Sequence, residues 1–367
     1  MTSATRHIST RVVNGITVFS LPTRSSRFVA ALNRIGEWLT SYPYLWGAID
    51  SFGAFFRTQA RYDVIHVETA FPLGIAVMLT KPADSKLAVT LPGADIMRVP
   101  EFDYGYARYT AVRQCIRWVF RRSDCIRADS RQILTLALTY GAPPARITAV
   151  PYNITTHSFF ADAERVGAEK AAARAFLCAT YAIPDDATIV LSLNRLHPFK
   201  GIEYIIAAIP AVVAAGCNVH VLIVGHNRST PKYGDYGAYL VEQAQTLGVS
   251  ERVHIVGGIA HHDARTYLAG SDTTIVPSIA ESFSRVVIES AAAGTPPIVT
   301  ATTGASDYVR DAGCGVVVAP QSGPAIADGI LRVITQHHQL SERCIPFAQD
   351  FRSRVIAATL LDMYTTL

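Results

Sequence analysis

Glu281 and Glu289 stand eight positions apart in "PSIAESFSRVVIESAAAGTPPIV" (277–299), among small residues, a glycine and two prolines. Paired carboxylates suggest acid/base work on a glycosidic bond, where a retaining pair lies about 5–5.5 Å apart. Eight residues of helix span roughly 12 Å at 1.5 Å per residue. A partly looped segment is shorter, yet it remains a poor acid/base pair. Two glutamates gripping different parts of one long ligand fit the spacing better. Taken singly, Glu281 reads as a solvated loop residue and Glu289 as a surface helix residue.

A second pair is cationic. "TIVLSL" (188–193) runs into "NRLHPFKG", which puts Arg195 and Lys200 on or beside the next loop. In isolation these would be two solvated cations. At the carboxyl end of a strand, as Glu281 is, they suit a phosphate, because arginine grips it with two hydrogen bonds and lysine adds a point charge. With a helix N-terminus near Ser284, they predict a diphosphate site needing no metal. The chain contains no D-x-D, a carboxylate pair often used to hold Mg²⁺ or Mn²⁺ beside a diphosphate. In "AHHD" (260–263) the adjacent histidines do not share a helical face, so surface histidines are the better reading than a zinc site.

These residues need elements to position them. "TTIVPS" (273–278) and "PIVTA" (297–301) are short, apolar and β-branched. Between them Ser282 or Ser284 can cap a helix over "RVVIESAAA", Gly294 can end it in the left-handed conformation, and Pro296 and Pro297 cannot continue it. Ligands of open α/β sheets bind at strand carboxyl ends such as the one that carries Glu281. Further strands are expected at "VHVLIV" (219–224), "RVHIV" (252–256) and "GVVVA" (315–319), with helices beginning near Gly201, Asp235, Asp263 and Ser284. This alternation predicts a parallel sheet with helices on both faces. Pro210 should kink or end the first of those helices.

The first half repeats the theme less cleanly, with candidates "GITVFSL" (15–21), "DVIHVE" (63–68), "KLAVTL" (86–91), "CIRAD" (125–129) and "RITAVP" (146–151). Residues 152–187 join the halves, and a cleft between two such domains is a natural ligand site. Residues 347–367 read as an amphipathic helix outside the second sheet's pattern, able to cross back to the first domain.

Of 367 residues, half are hydrophobic and 17% charged, which excludes a disordered chain. A formal charge of +4 permits an anionic ligand or membrane surface without demanding nucleic acid. Six cysteines without a C-x-x-C pair suit buried thiols in a reducing cytosol. The polar first ten residues argue against a signal peptide, and Glu37, Pro43 and Asp50 interrupt the apolar stretch 35–56, which argues against a membrane span. The chain shows no internal repeat.

Arg195, Lys200, Glu281 and Glu289, in that order, resemble the retaining glycosyltransferases of GT-B fold, glycosyltransferase family 4 above all. "NRLHPFKGIEYIIAAI" is similar to that family's "GRL…KG" segment, "VLIVGHN" to its strand ending in "VG", "ERVHIVGGI" to its base-contacting strand and loop, and "SDTTIVPSIAESFSRVVIESAAAGTPPIV" to its paired-glutamate signature. Ser284 stands where many members carry glycine.

The resemblance implies an α/β fold of two Rossmann-like doubly wound parallel-sheet domains facing a central cleft. The first would cover 1–151 on the acceptor side, a linker 152–187, the nucleotide-sugar domain 188–346, and a returning helix 347–367. It implies that Arg195 and Lys200 hold the donor's diphosphate. Glu289 would take the ribose hydroxyls and Glu281 those of the transferred sugar, aided by Ser282 and backbone N–H groups around Phe283, Ser284 and Arg285. Gly225 and Gly257 would border the donor. No cofactor is implied beyond the nucleotide sugar itself, with UDP ahead of GDP on family frequency.

In the first half, "YDVIHVE" and "LAVTLPGADI" resemble the family's "yDviH" and "HG-D" segments, with Pro92 in place of the histidine. Asp95 is therefore a candidate catalytic contact to sugar or acceptor, or equally a loop aspartate capping its own turn. Members usually open with a strand and a Gly-rich loop. "STRVVNGITVFSLP" looks instead like a later strand, so a first βα unit is expected to be missing.

Residues 106–131 carry seven arginines against two aspartates, with Arg113, Arg117 and Arg121 on one helical face. One reading is peripheral contact with the inner face of a membrane, or a lipid-linked acceptor. The other is a solvated helix face packing on the sheet. Carbohydrate and small-molecule acceptors stand beside the lipid-linked one, nucleic acid is not expected, and the location is cytoplasmic. Two alternatives to a transferase remain: a non-catalytic nucleotide-sugar-binding or scaffold relative, and a sugar-nucleotide epimerase of the same fold.

Overall fold

From residue 188 onward the apolar runs become one six-stranded parallel sheet, and in the first half four of the five candidates form another. The computed structural model describes residues 8–22, 26–59, 61–154, 166–227, 229, 232 and 234–367. The chain falls into two units, Met1–Val150 with Thr359–Leu367, and Pro151–Ala358.

In the first unit, β1 (Ser9–Val13) and β2 (Ile16–Ser20) form an antiparallel hairpin. Asn14 and Gly15 turn it with φ of 51° and 79°, the two left-handed residues that a two-residue hairpin turn demands. The "GITVFSL" run therefore pairs with its neighbour and stands outside the parallel sheet. That sheet contains β3 (Val64–Glu68), β4 (Lys86–Leu91), β5 (Cys125–Ala128) and β6 (Ile147–Ala149), in that spatial order.

Its strands alternate. Val67, Leu87, Val89, Leu91, Ile126 and Ile147 share a core with Val112, Ile116, Val119 and Phe120 of the Thr110–Arg122 helix. The other face is polar. His66 Nε2 lies 2.6 Å from Thr90 Oγ1, its Nδ1 meets the Tyr364 hydroxyl, and Arg127 Nε donates to the Val150 carbonyl at 2.9 Å.

The second unit contains β7 (Thr188–Leu193), β8 (Val219–Val224), β9 (Val253–Gly257), β10 (Thr273–Val276), β11 (Pro297–Thr300) and β12 (Val316–Val318), all parallel, in the order β12-β11-β10-β7-β8-β9. Both faces are buried. Ile189, Leu191, Leu222, Val224, Val276 and Val299 enter one core, and Val190, Val221, Ile223, Ile275, Ile298 and Val316 the other. The strands therefore read as continuous apolar runs. The chain builds outward from β7 to β9 and then returns to place β10 on the other side of β7, a topological switch point.

Helices begin at Ile202, Tyr236, Ala264 and Arg285, each just after its expected start. The first continues through Pro210 to Ala214, so that proline does not end it. The linker segment 152–187 holds more than a connection. Residues 155–165 lie outside those described, but Val166–Tyr181 is a helix whose Ala173, Leu177 and Cys178 sit in the second unit's core. At the other end, Phe347, Ala348 and Phe351 also belong to that core, and the returning stretch is the end of the Ser353–Thr365 helix.

Candidate functional site

Adjacent strands β7 and β10, paired through Val190↔Thr273 and Leu191↔Thr274, bring two distant segments to one crevice. The chain leaving β7 makes a short 3₁₀ turn at Pro198–Lys200, which His197 opens by accepting the Phe199 N–H at its Nδ1. Burial and the cations Arg195 and Lys200 lower the His197 pKa, in keeping with an unprotonated, accepting Nδ1. Gly201 ends the turn at φ 66°, where a Cβ would sit 2.4 Å from the Pro277 carbonyl oxygen. Only glycine lets these two loops pass so closely. The Ile279 N–H donates to the Phe199 carbonyl at 2.9 Å and ties them together.

The loop after β10 is held from its other side. The Glu281 N–H donates to the Thr302 carbonyl at 3.2 Å, and the Gly304 and Ala305 N–H groups donate to the carbonyls of Glu281 and Phe283 at 2.9 and 3.0 Å. Phe283 is 1% exposed, with its ring among those of Tyr152, Tyr308 and Phe351. It anchors the loop in the core, so its contribution toward a ligand is confined to its backbone. Ser284 precedes the Arg285–Ala292 helix at φ 76°, ψ 94°, and its side chain makes no cap, so the expected serine cap is absent. Gly294 follows the helix at φ 72°, as expected.

A cavity of about 560 Å³ opens at these loops. Its lining unites Arg195, Lys200, Glu281 and Glu289, with Ser282, Phe283, Ser284 and Arg285 between the glutamates. Lys200 is 8% exposed and its ammonium is paired with the Glu281 carboxylate. Glu289, also 8% exposed, has a pKa raised by burial and drawn partly back by Arg285 and His261. Among the described residues no carboxylate pairs with Arg195, which is exposed at the rim.

Three further expected site residues are not part of this lining, which draws on the second unit alone. Gly225 and Gly257 are absent from the lining. The Gly225 N–H donates to the Gly257 carbonyl at 2.7 Å, and a Cβ on Gly225 would meet the Asn194 carbonyl oxygen at 1.8 Å, so Gly225 serves the packing of strand ends, whereas Gly257 turns the chain at φ 82° in open space. Asp95, in the first unit, is 1% exposed and accepts the Ala70 N–H at 2.6 Å; it braces a loop. Conversely, Asn194 and His261 line the cavity. His261 is exposed, as a surface histidine should be, and it borders the cavity near enough to Glu289 to lower that carboxyl's pKa; adjacent histidines in a sequence carry no signal of that placement.

Residues 175–351 match the family described as glycosyl transferases group 1, and residues 3–153 the glycosyl transferase 4-like domain. An uncharacterized glycosyltransferase of Methanocaldococcus jannaschii is 31% identical over 42% of this chain and 37% of its own length, so the match spans well under two thirds of that relative. The D-inositol 3-phosphate glycosyltransferase of Streptosporangium roseum is 28% identical over 84% of this chain and 71% of its own length. Among solved structures, sucrose-phosphate synthase from Thermosynechococcus elongatus superposes with a TM-score of 0.75 at 21% identity, covering 98% of this chain and 85% of that one. Anabaena HepE in complex with UDP-glucose gives 0.69 at 20% identity, covering 89% and 83%. These likenesses assign the GT-B fold.

Proposed function

We propose that this chain, whose two halves match glycosyltransferase domain models, moves a sugar from a nucleoside diphosphate sugar to an acceptor hydroxyl, with retention at the anomeric carbon and without a metal ion. The observation that carries this is the convergence of Arg195, Lys200, Glu281 and Glu289 on one cavity at the switch point. Arg195, Lys200 and the N-terminus of the Arg285–Ala292 helix take the diphosphate. Glu289, at the cavity's buried end, takes the ribose hydroxyls, and Glu281 those of the sugar.

As the bond between the anomeric carbon and the diphosphate oxygen breaks, its electron pair goes to that oxygen. The two cations and the helix dipole stabilise the charge that develops there. The acceptor oxygen bonds to the same face of the anomeric carbon, and its proton passes to the leaving diphosphate oxygen. Uracil is the proposed base; the UDP and UDP-glucose complexes of Anabaena HepE support it by fold likeness. The acceptor is a carbohydrate, a lipid-linked sugar or a small molecule, and the cytosol is the proposed location.

Thermal melts with UDP, GDP and ADP in EDTA test the donor site. A ligand at a hundred times its Kd stabilises the folded state by about 2.7 kcal/mol. The expected result is a shift with UDP that Glu289→Ala abolishes. No shift with any of the three overturns the assignment.

A further inference from the structure

The Arg27–Thr40 helix presents the wrong face to solvent for a soluble packing element. Phe28 is 72% exposed and Trp38 82%, and Ile35 and Leu39 are exposed beside them. Phe28, Leu32, Ile35 and Leu39 follow the i, i+4, i+7, i+11 spacing of one helical stripe, with Trp38 at its border. A neighbouring face, about a quarter turn away, is the one that packs. Gly36 and Thr40 are buried, the Trp46 ring lies against Gly36, and Asn33 Oδ1 accepts the Trp46 N–H at 3.0 Å. Arg27 and Arg34 are exposed and flank the stripe on Trp38's side, while Glu37 falls on the far side of the helix. Among the described residues neither arginine pairs with a carboxylate.

We propose that this helix lies flat in the interface of an anionic phospholipid surface, with Phe28, Ile35, Trp38 and Leu39 among the acyl chains and Arg27 and Arg34 on lipid phosphates. Its exposed apolar stripe and flanking arginines are the two components of interfacial binding. A second copy fits the same face poorly, since two-fold pairing of the stripes would bring the guanidinium groups of both copies to one seam. No described helix is long and apolar enough to cross a membrane, so the contact is peripheral. The 106–131 segment, read earlier for this role, spends part of its charge internally. Arg113 donates to the Ala107 and Arg108 carbonyls, Arg108 to the Gly105 carbonyl, and Arg127 is buried. The proposal does not depend on the donor-site reading.

Co-sedimentation of the full chain with phosphatidylcholine vesicles, with and without phosphatidylglycerol, tests it. Expected are binding to the anionic vesicles, a blue shift of tryptophan emission that Trp38→Phe removes while binding persists, and about fivefold weaker partitioning for each of Arg27→Gln and Arg34→Gln. Phe28→Ser/Ile35→Ser/Trp38→Ser should abolish sedimentation; the arginine variants, which remove no packed atom, keep the test valid if that variant fails to fold. Absence of vesicle binding by the wild type overturns the proposal. So does binding untouched by these substitutions, or a dimer that occupies the face and excludes vesicles.

Discussion

Lys200 and Glu281, separated by 81 positions, form an ion pair inside the cavity between the β7 and β10 loops, their side chains 10% and 18% exposed. Each group offered to a ligand is thus already neutralised by the other. On the proposed reading, the diphosphate and the sugar share or replace that pairing when the donor enters. Glu281→Gln should leave UDP affinity unchanged within a few-fold, because it frees the ammonium for phosphate, yet reduce sugar transfer by about a hundredfold or more. Lys200→Met should weaken UDP itself and lower stability by about 2 kcal/mol, because it strands a largely buried carboxylate. Calorimetry with UDP beside a donor-hydrolysis or transfer assay separates the two; equal loss of UDP binding in both variants would refute the division of roles.

Glu289→Gln should trade stability against binding. Burial raises the carboxyl's pKa, so its ionised form costs the folded state stability at neutral pH. That cost is absent below the ordinary carboxylate range, grows as pH rises from there to the folded value, and levels off above it. The variant should therefore melt higher than wild type at pH 7 without ligand, with the gain vanishing toward about pH 4. UDP affinity should fall about tenfold with the loss of a charge-assisted hydrogen bond. Melting curves across pH, with and without UDP, read both effects.

Ser284 holds φ 76° without a glycine's freedom. Ser284→Gly should raise stability by about 1 kcal/mol by relieving that strain, with no loss of UDP binding, since only backbone is asked of this position. A destabilised variant in urea denaturation would show that the serine side chain contributes a contact that outweighs the strain.

Asp95 predicts a pH slope in the first unit. Burial pushes its pKa up to about 7, against the hydrogen bonds from Ala70 and neighbouring backbone that lower it. The folded protein keeps this proton up to about pH 7, whereas the unfolded chain releases it near pH 4, at about 3.9. Stability should fall between those values by a few kcal/mol at most, on the order of 1.4 kcal/mol per pKa unit, and level off above them. Asp95→Asn should flatten the slope; an unchanged slope would assign it to other groups.

The second sheet was legible because both its faces are apolar. "TIVLSL" and "VHVLIV" are read as strands wherever they lie, and Asp235 and Gly294 punctuate helices through their own side-chain and backbone chemistry. The first sheet read less cleanly for a physical reason. Its second face carries His66, Thr90 and Arg127, satisfied by one another and by residues as remote as Val150 and Tyr364. Alternating strands of that kind look half-exposed. The hairpin partner of "GITVFSL" was equally hidden, since register is a property of two strands together.

By itself the sequence determined the strand–helix alternation of the second unit, the loop positions of Arg195, Lys200 and Glu281, and the family resemblance they carry. Those are local matters, decided by periodicity and capping within a few residues. Tertiary structure alone decided that β10 returns beside β7, so that Lys200 meets Glu281. It also decided that His261 lines the cavity, that Gly225 packs against the Asn194 carbonyl, and that Asp95 is buried against the Ala70 N–H. Strand order across a switch point is set by which faces bury together, an energy of the whole sheet that no single segment contains.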